Sequence, residues 1–397
     1  MLTEDKSYKT PGVYLEEIFP APAPELITGV PAFLGLTEAK DATGRDIRVN
    51  EPKLLKLWPQ FEQFFGHPAS GSYLAHAVRG FFENGGRLCY VVPLQNNQQE
   101  ALKQGLAAIE PLDTVDLVCA PDIMQSPESD RVEMQKLVLE HCDKMGDRFA
   151  ILDSLLEKKT ISEIQQQTNQ LQGDNGALYF PWIKVFDPAT KQNAPKGKGL
   201  IEVPPCGHIA GIYAQSDRAL GFPQTPANYP LEGVLDLSVN LSHDDLDKLN
   251  LEDKPGNNLR VLKGRGIRIW GGRTLSRNPD WRYINVRRLF LTVHRWIERN
   301  LADVAFEPNN SRLWIRIERE LTTYLQSLFQ KGALKGNSPQ EAFYIKCDGE
   351  TNPPEMRDAG TVVTEIGLAP TIPNEFIVVR LIHGTTGVNL MPSTQPQ

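Results

Sequence analysis

The feature that most constrains this chain is a regular alternation of short apolar runs with amphipathic helical stripes between residues 30 and 186. The runs read VPAFLGLT, RLCYVVPL, TVDLVCAPD, RFAILD and ALYFPWIKVF, and each has the length of a buried strand. One stripe between them places Leu74, Ala77, Val78, Phe81 and Phe82 on a single helical face. Between Thr114 and Val185, strands that alternate with helices in this way predict an α/β layer with a largely parallel sheet.

The last third of the chain has a different pattern. After the strand-like GIRIWG, one helical stripe runs from Val286 to Leu301 and a second from Trp314 to Leu328, ended by Gly332. Further strands are expected at VAFEPN, AFYIKCD, GTVVTEIGLAP and EFIVVRLI. We therefore predict a second unit of α+β type, in which two helices lie over at least four strands. The fold class is α/β and α+β, multidomain.

Charge and cysteine content exclude several function classes. The net charge of -7 argues against nucleic acid as the main partner, because a phosphate backbone demands a basic surface. The five cysteines are scattered and form no CxxC pair, so we expect buried free thiols without a disulfide framework or a zinc site. No run approaches the roughly 18 apolar residues of a membrane span, and MLTEDKSYK lacks a signal-peptide core. We expect assembly in the cytoplasm and no direct membrane insertion.

A hydrolase-like α/β enzyme is the main alternative function. Asp122 and Asp153 follow predicted strands, where ligands often bind, and His208 could serve as a general base. However, the sequence contains no GxSxG, HExxH or P-loop pattern, and both aspartates are better explained as caps of turns or helices. His243, Asp244, Asp245 and Asp247 are likewise better read as a capped helix start than as a metal site. We expect no catalytic residue, cofactor or metal.

The amino-terminal residues do not have the pattern of a globular domain. A short strand-like run, VYLEEI, has no local partner and is followed by PAPAP, a stiff polyproline-like spacer. One interpretation is an ordinary edge strand of the first domain. The other is a strand donated to the sheet edge of a neighbouring chain, since ten extended residues span about 30 Å.

Ten motifs in order carry a resemblance to a known family. They are PGVYLEE, NGG at 84–86, APD at 120–122, PPCGHIAGIYAQSDRALG, GRGIRIWGGRTLS, YINVRRL, FEPN, GALKG, KCDGETNPP and APTIPNEFIV. In this order, across nearly the whole chain, the sequence resembles the tail sheath proteins of contractile phage tails, R-type tailocins and phage-like contractile injection systems. Another filament or shell protein would share the donated arm but not these ordered motifs.

The resemblance implies a domain order and a set of partners. Residues 1–30 would be an amino-terminal arm, 31–260 the outer α/β domain or domains, 261–376 an inner, tube-facing α+β domain, and 377–397 a carboxy-terminal strand and arm. The chain would form a helical homopolymer around an inner tube protein, with baseplate and cap proteins at its ends. Contraction of that sheath would drive the tube through a target envelope, and the particle would be anchored or released through partner proteins.

The same resemblance implies which residues make contacts. The arm strands donated to neighbouring subunits would be Val13, Tyr14, Leu15, Glu16, Glu17 and Ile18, and Phe376, Ile377, Val378 and Val379. The glycine- and arginine-rich stretch from Gly264 to Leu289 first suggests phosphate binding. In a sheath, its glycines serve turns and close packing, and Trp270 and Trp281 are expected in the inner-domain core. Candidates for pairing with carboxylates of the tube or of other subunits are Arg265, Arg268, Arg273 and Arg287, together with Arg316, Arg319 and Glu320 on the second helix.

Overall fold

The computed structural model describes residues 26–157, 160–187, 199–241 and 256–373. Its centre is an eight-stranded sheet in the order β11-β10-β6-β5-β4-β1-β3-β2. All neighbouring strands from β10 to β3 in that order run parallel, and an antiparallel strand closes each edge. The predicted parallel α/β layer is therefore confirmed. The strands are β1 (Pro31–Gly35), β2 (Lys53–Leu55), β3 (Cys89–Pro93), β4 (Leu117–Cys119), β5 (Phe149–Asp153), β6 (Gly176–Phe180), β10 (Asn257–Leu262) and β11 (Gly266–Trp270).

Both faces of this sheet are covered by helices. Because successive side chains of a strand point to opposite faces, Ala150 and Leu152 of β5 enter one core while Phe149 and Ile151 enter the other. The first face packs on α3 (Gln99–Ile109), α4 (Glu128–Met145) and α5 (Ile161–Gln170). The second face packs on α1 (Pro59–Phe65), α2 (Leu74–Glu83) and α6 (Cys206–Leu220). The helical stripe predicted from Leu74 to Phe82 is confirmed as α2, although Phe82 is only partly buried.

Helices α2 and α6 cross at very short range because glycines face their contact. A methyl group on Gly207 would lie 2.2 Å from the carbonyl oxygen of Ala77, and one on Gly211 would lie 2.6 Å from that of Phe81. On the α2 side, a methyl group on Gly80 would lie 2.2 Å from Nδ1 of His208. These glycines are therefore explained by close helix packing, without a ligand.

The run ALYFPWIKVF, predicted as one strand, is two strands in two sheets. Pro181 separates β6 from β7 (Ile183–Phe186), because proline has no N–H to continue a ladder. Strand β7 is the centre of a three-stranded antiparallel sheet with β8 (Leu200–Val203) and β9 (Val234–Leu237).

The described part of the carboxy-terminal unit contains the two predicted long helices and two of the expected strands. They are α7 (Ile284–Asn300) and α8 (Ser311–Gln330), the latter capped by the Asn310 side chain. Below them lie β12 (Phe343–Lys346) and β13 (Glu365–Leu368), which form an antiparallel pair, with the short helices α9 (Pro339–Ala342) and α10 (Pro354–Asp358). The VAFEPN strand was wrong, since Val304 ends a 3-10 helix and residues 305–309 form turns and irregular backbone, and EFIVVRLI lies outside the described residues.

The predicted boundary after residue 260 falls inside β10, and helix α7 contributes side chains to both the α/β layer and the carboxy-terminal unit. Strands β10 and β11 belong to the large sheet, and the carboxy-terminal unit follows them. Helix α7 joins both parts: Ile284 and Leu291 enter the sheet core, whereas Leu289 and Val293 pack with α8. The expected place of Trp270 in the core was wrong, because its side chain is 37% exposed and stacks on the Arg260 guanidinium.

Candidate interaction surfaces

A buried charge network joins the amino-terminal segment, the α/β layer and helix α7. Arg288 donates two hydrogen bonds to Asp217 of α6, at 2.9 and 2.6 Å, and one to Asp116 at 3.1 Å. Its guanidinium also lies over the Tyr213 ring, 4.8 Å from the centroid. All three charged side chains are buried, so this is a desolvated ion cluster in place of a surface salt bridge.

Electrostatics explain why the cluster is charged. Burial raises the pKa of Asp217, and Arg288 opposes that rise. For Arg288 itself, burial alone would lower the pKa, but Asp217 and Asp116 together raise it above its ordinary value. Because an arginine keeps its proton throughout the ordinary pH range, both carboxylates face a full positive charge.

The same network fixes the start of the described chain. Asp116 accepts backbone hydrogen bonds from Gly29 at 2.9 Å and Val30 at 2.6 Å. Arg295, about two turns after Arg288 on the same face of α7, donates to the carbonyls of Ile27, Asp113 and Thr114. A cleft of about 390 Å³ opens beside this segment, lined by Leu26, Ile27, Thr28, Gly29, Val30, Arg87, Leu88, Ala214, Asp217, Arg218 and Gly221. Residues 26–30 are thus held firmly against the α/β layer and α7.

The sequence did not predict this network, and the contact candidate that it indicated in this helix was Arg287. Arg287 lies over the Trp281 ring and donates to Asn175 at 2.6 Å, inside the chain. The available signal was the helical spacing of Ile284, Arg288, Leu291 and Arg295, which places two arginines on an apolar face. A cation on a buried stripe requires buried carboxylates, but the spacing alone does not identify them.

The other arginines of the Gly264–Leu289 stretch occupy different environments. Arg273 is only 8% exposed, and its backbone N–H donates to Asn257 at 2.8 Å. Arg268 donates to the carbonyls of Arg265 and Asn228, while Arg265 lies exposed in the turn between β10 and β11. The structure therefore does not bring Arg265, Arg268, Arg273 and Arg287 together in one site, and Arg273 is too buried to contact another protein.

On α8, Arg316 is committed to its own chain. It forms ion pairs with Asp303 and Glu307 of the preceding segment and with Glu320 of the next helical turn. Arg319 is exposed beside Arg312 and Ile315, and the latter is 65% exposed. These side chains line a cleft of about 560 Å³ together with Glu307, Pro308, Asn310, Leu313 and Arg316.

Phe306 stands out next to this cleft. Its side chain is fully exposed, and its backbone has a φ of 71°, a conformation that bulky L-residues rarely adopt. The Arg316 ion pairs hold the segment that presents it against α8. The strained backbone, together with the exposed Ile315 beside the same cleft, makes Phe306 a candidate contact residue.

The residues of the enzyme alternative do not form a catalytic arrangement. Asp122 accepts hydrogen bonds from the backbone N–H groups of Leu36 and Tyr73 and from Ser72, and burial raises its pKa. Asp153 accepts from the Cys206 N–H at the start of α6, and burial raises its pKa to about 7. Both aspartates therefore satisfy backbone donors at turns and helix starts.

His208 has the features of a core histidine. Its ring packs against Gly80 of α2, and burial lowers its pKa to about 3. Nδ1 has no hydrogen-bond partner in the described part of the chain, so no nucleophile is paired with it. The five cysteines are buried and free, as expected, and burial raises the pKa of Cys206 well above its ordinary range.

The described residues contain neither a metal-binding cluster nor a membrane-spanning helix. Across 26–157, 160–187, 199–241 and 256–373, no group of three or more His, Cys, Asp or Glu side chains could hold a metal ion. Among the helices in these same ranges, none combines the length and apolar content needed to cross a bilayer. His243, Asp244, Asp245 and Asp247 lie outside the described residues, as do the arm residues from Val13 to Ile18 and from Phe376 to Val379.

Comparison with known proteins decides the family. The phage tail sheath central domain matches residues 95–275, and the phage tail sheath C-terminal domain matches residues 276–382. The chain belongs to the phage tail sheath family. The predicted resemblance is thus confirmed, and the family is one of structural proteins.

Relatives of this sheath protein extend the match to solved particles. The anti-feeding prophage baseplate contains a chain that is 28% identical, with a TM-score of 0.75, covering 96% of this chain and 100% of that one. The PVC sheath complex of an extracellular contractile injection system, in its contracted state, is also 28% identical, with a TM-score of 0.74, covering 96% and 99%. A putative prophage major tail sheath protein of Pseudomonas aeruginosa is 24% identical over 206 residues, covering 49% of this chain and 48% of that protein. This sheath chain therefore aligns with about half or less of the length of its curated relatives.

Proposed function

We propose that this chain is the subunit of a contractile sheath that polymerises helically around an inner tube and drives it through a target envelope. The observation that carries the proposal is the likeness, over 96% of the chain, to a sheath complex in the contracted state. A heterologous contact that does not close on itself generates an open helical polymer, which is the required architecture. The work would come from interfaces between many copies, without a nucleotide, cofactor or catalytic residue.

In this proposal the α/β layer lies on the outside and the carboxy-terminal unit faces the tube. The exposed side of α8 and the segment before it support that orientation, because Arg319 and Ile315 of the helix and Phe306 of the segment present charge and apolar surface together. Arg316 and Glu320 pair within the chain and would stabilise this surface, in place of contacting the tube themselves. Arg265 and Arg268 belong to a different face, where they would meet other subunits.

The arms would connect neighbouring subunits through strand addition. Residues 1–30 would leave each subunit from the segment anchored by Asp116, and residues 377–397 would leave from the carboxy-terminal unit. Within the described part of the chain, no further strand pairs with either edge of the β12–β13 pair. Donated strands Val13–Ile18 and Phe376–Val379 could hydrogen-bond there, as extended peptides do at exposed sheet edges.

The particle-level partners and location follow from the same proposal. Baseplate and cap proteins would close the two ends of the polymer, as the likeness to a baseplate chain supports. Assembly would take place in the cytoplasm, and the finished particle would act on its target from outside that target's envelope.

Deleting residues 1–20 tests the arm. We expect a folded monomer, with an unchanged unfolding transition, that no longer forms sheath-like tubes in electron micrographs. A finer variant carries Tyr14→Pro and Glu16→Pro, since proline cannot donate to a strand ladder, with Tyr14→Ala and Glu16→Ala as its matched control. Normal tubes from the truncated protein would show that the arm does not link subunits.

A further inference from the structure

The hairpin of β10 and β11 is a concentrated positive charge on an acidic protein. Between Asn257 and Trp270 it carries Arg260, Lys263, Arg265 and Arg268 and no carboxylate. Since the whole chain has a net charge of -7, the rest of the chain carries -7 minus 4, or -11. The hairpin is therefore surrounded, in any assembly of this chain, by copies that are strongly acidic elsewhere.

The strand register makes this charge unfavourable in the isolated chain. Arg260 lies directly opposite Arg268 in the antiparallel pair, on the same face of the sheet. Like charges placed opposite each other destabilise a strand pair. Neither arginine is neutralised within the described residues: Arg268 donates to backbone carbonyls, and Arg260 stacks on the Trp270 ring at 4.9 Å.

Exposed apolar side chains lie beside these cations, as they do at protein interfaces. Trp270 is 37% exposed and Val261 is 53% exposed, so apolar surface accompanies the charge on both faces of the hairpin. Arginine and tryptophan are the residue types enriched at protein interfaces. The turn itself has open space around Gly264 and Gly266, both with positive φ, so nothing in the described chain covers it.

A complementary surface exists on the carboxy-terminal unit. Between Lys346 and Glu365 the carboxylates are Asp348, Glu350, Glu355, Asp358 and Glu365, against the cations Lys346 and Arg357, which gives 2 minus 5, or -3. Glu350 pairs with Lys346, but Glu355 and Asp358, on the short helix α10, are exposed. No ion pair links this surface to the hairpin of the same chain in the described ranges.

We propose that the β10–β11 hairpin of one copy docks on the α10 surface of a second copy of this chain. The contact deepens the proposed sheath function, because it names one subunit interface of the polymer. Charge pairing across it would relieve the Arg260–Arg268 repulsion, and Trp270 would be covered by the partner. Such a contact weakens as ionic strength rises, since its charges lie near the surface.

Site-specific cross-linking tests the contact directly, whether or not tubes form. Two full-length variants, Lys263→Cys and Asp358→Cys, are mixed and treated with a short bis-maleimide; the five native cysteines are buried and do not compete. We expect a cross-linked species of twice the chain mass. The matched control replaces Lys263→Cys with Lys103→Cys, an exposed residue of α3, and should give none. Equal cross-linking of the two mixtures, or none in either, would overturn the proposal.

Charge reversal supplies an independent readout. Lys263→Glu with Arg265→Glu should raise the concentration needed for half-assembly by about tenfold, whereas Lys56→Glu with Lys103→Glu, which changes the net charge equally, should not. Adding Glu355→Lys and Asp358→Lys to the hairpin variant should restore assembly. Unchanged assembly of the hairpin variant would overturn the docking contact while leaving the sheath function intact. Loss of co-purifying nucleic acid from that variant, without cross-links in the first experiment, would instead assign the hairpin to nucleic acid.

Discussion

Replacing Arg288 by methionine should cost this protein a large part of its stability. The substitution removes the bidentate partner of Asp217 and one partner of Asp116. Asp116 keeps two backbone donors, Gly29 and Val30, whereas among the described residues Asp217 keeps the Gln224 N–H at 3.3 Å as its one remaining donor. One buried carboxylate is thus left without its countercharge, and breaking a buried pair in this way costs about 3–5 kcal/mol. The free energy of unfolding of a natural domain is only about 5–15 kcal/mol.

Urea unfolding, followed by tryptophan fluorescence, measures this cost. Burial already raises the folded-state pKa of Asp217, and loss of Arg288 raises it further. The loss of unfolding free energy is therefore present above about pH 4, and it shrinks as the carboxyl protonates in acid. The double variant Arg288→Met with Asp217→Asn should be more stable than Arg288→Met alone, because no unpaired charge remains. A loss below about 1 kcal/mol for the single variant, or a double variant that is less stable still, would refute the reasoning.

Three further outcomes follow from the described geometry. Gly207→Ala should lower the midpoint of thermal unfolding, because its methyl group would lie 2.2 Å from the backbone of Ala77, while the control Gly349→Ala, with open space around it, should not. His208 has a folded-state pKa of about 3, so its burial destabilises the protein as pH falls below about 6.5, by about 2 kcal/mol at pH 5. His208→Leu should therefore reduce the loss of unfolding free energy between about pH 6.5 and pH 5. An unchanged slope over that range would contradict this assignment. Arg316→Ala should speed amide hydrogen exchange in residues 302–307, because two ion pairs, with Asp303 and Glu307, tie that segment to α8. Unchanged exchange would show that these pairs do not hold Phe306 in place.

The large sheet could be predicted because its strands carry the signal locally. Phe149–Asp153 is an apolar run of strand length, and α2 shows its buried face in its own spacing. The errors occurred where tertiary pairing decides. Residues 266–270 were correctly predicted as a strand, but only its pairing with β10 assigns that strand to the large sheet. Similarly, Pro181 divides into two strands a run whose hydrophobicity is continuous.

The interaction surfaces were less predictable for a physical reason. Arg288 and Asp116 are separated by 172 positions, and nothing in local spacing connects them. Similarly, the sequence shows Arg316 as a cation on a helix, whereas the fold surrounds it with Asp303, Glu307 and Glu320. Family motifs identified the protein as a whole, but they did not distinguish side chains that pair inside the subunit from those that remain for a partner.

Electron microscopy of the purified full-length protein tests the central claim most directly. We predict that negative stain shows hollow, ribbed tubes, because subunit contacts that do not close on themselves generate an open helical lattice. Particles that stay monomeric, or close into small rings at every protein concentration and ionic strength, would contradict the account.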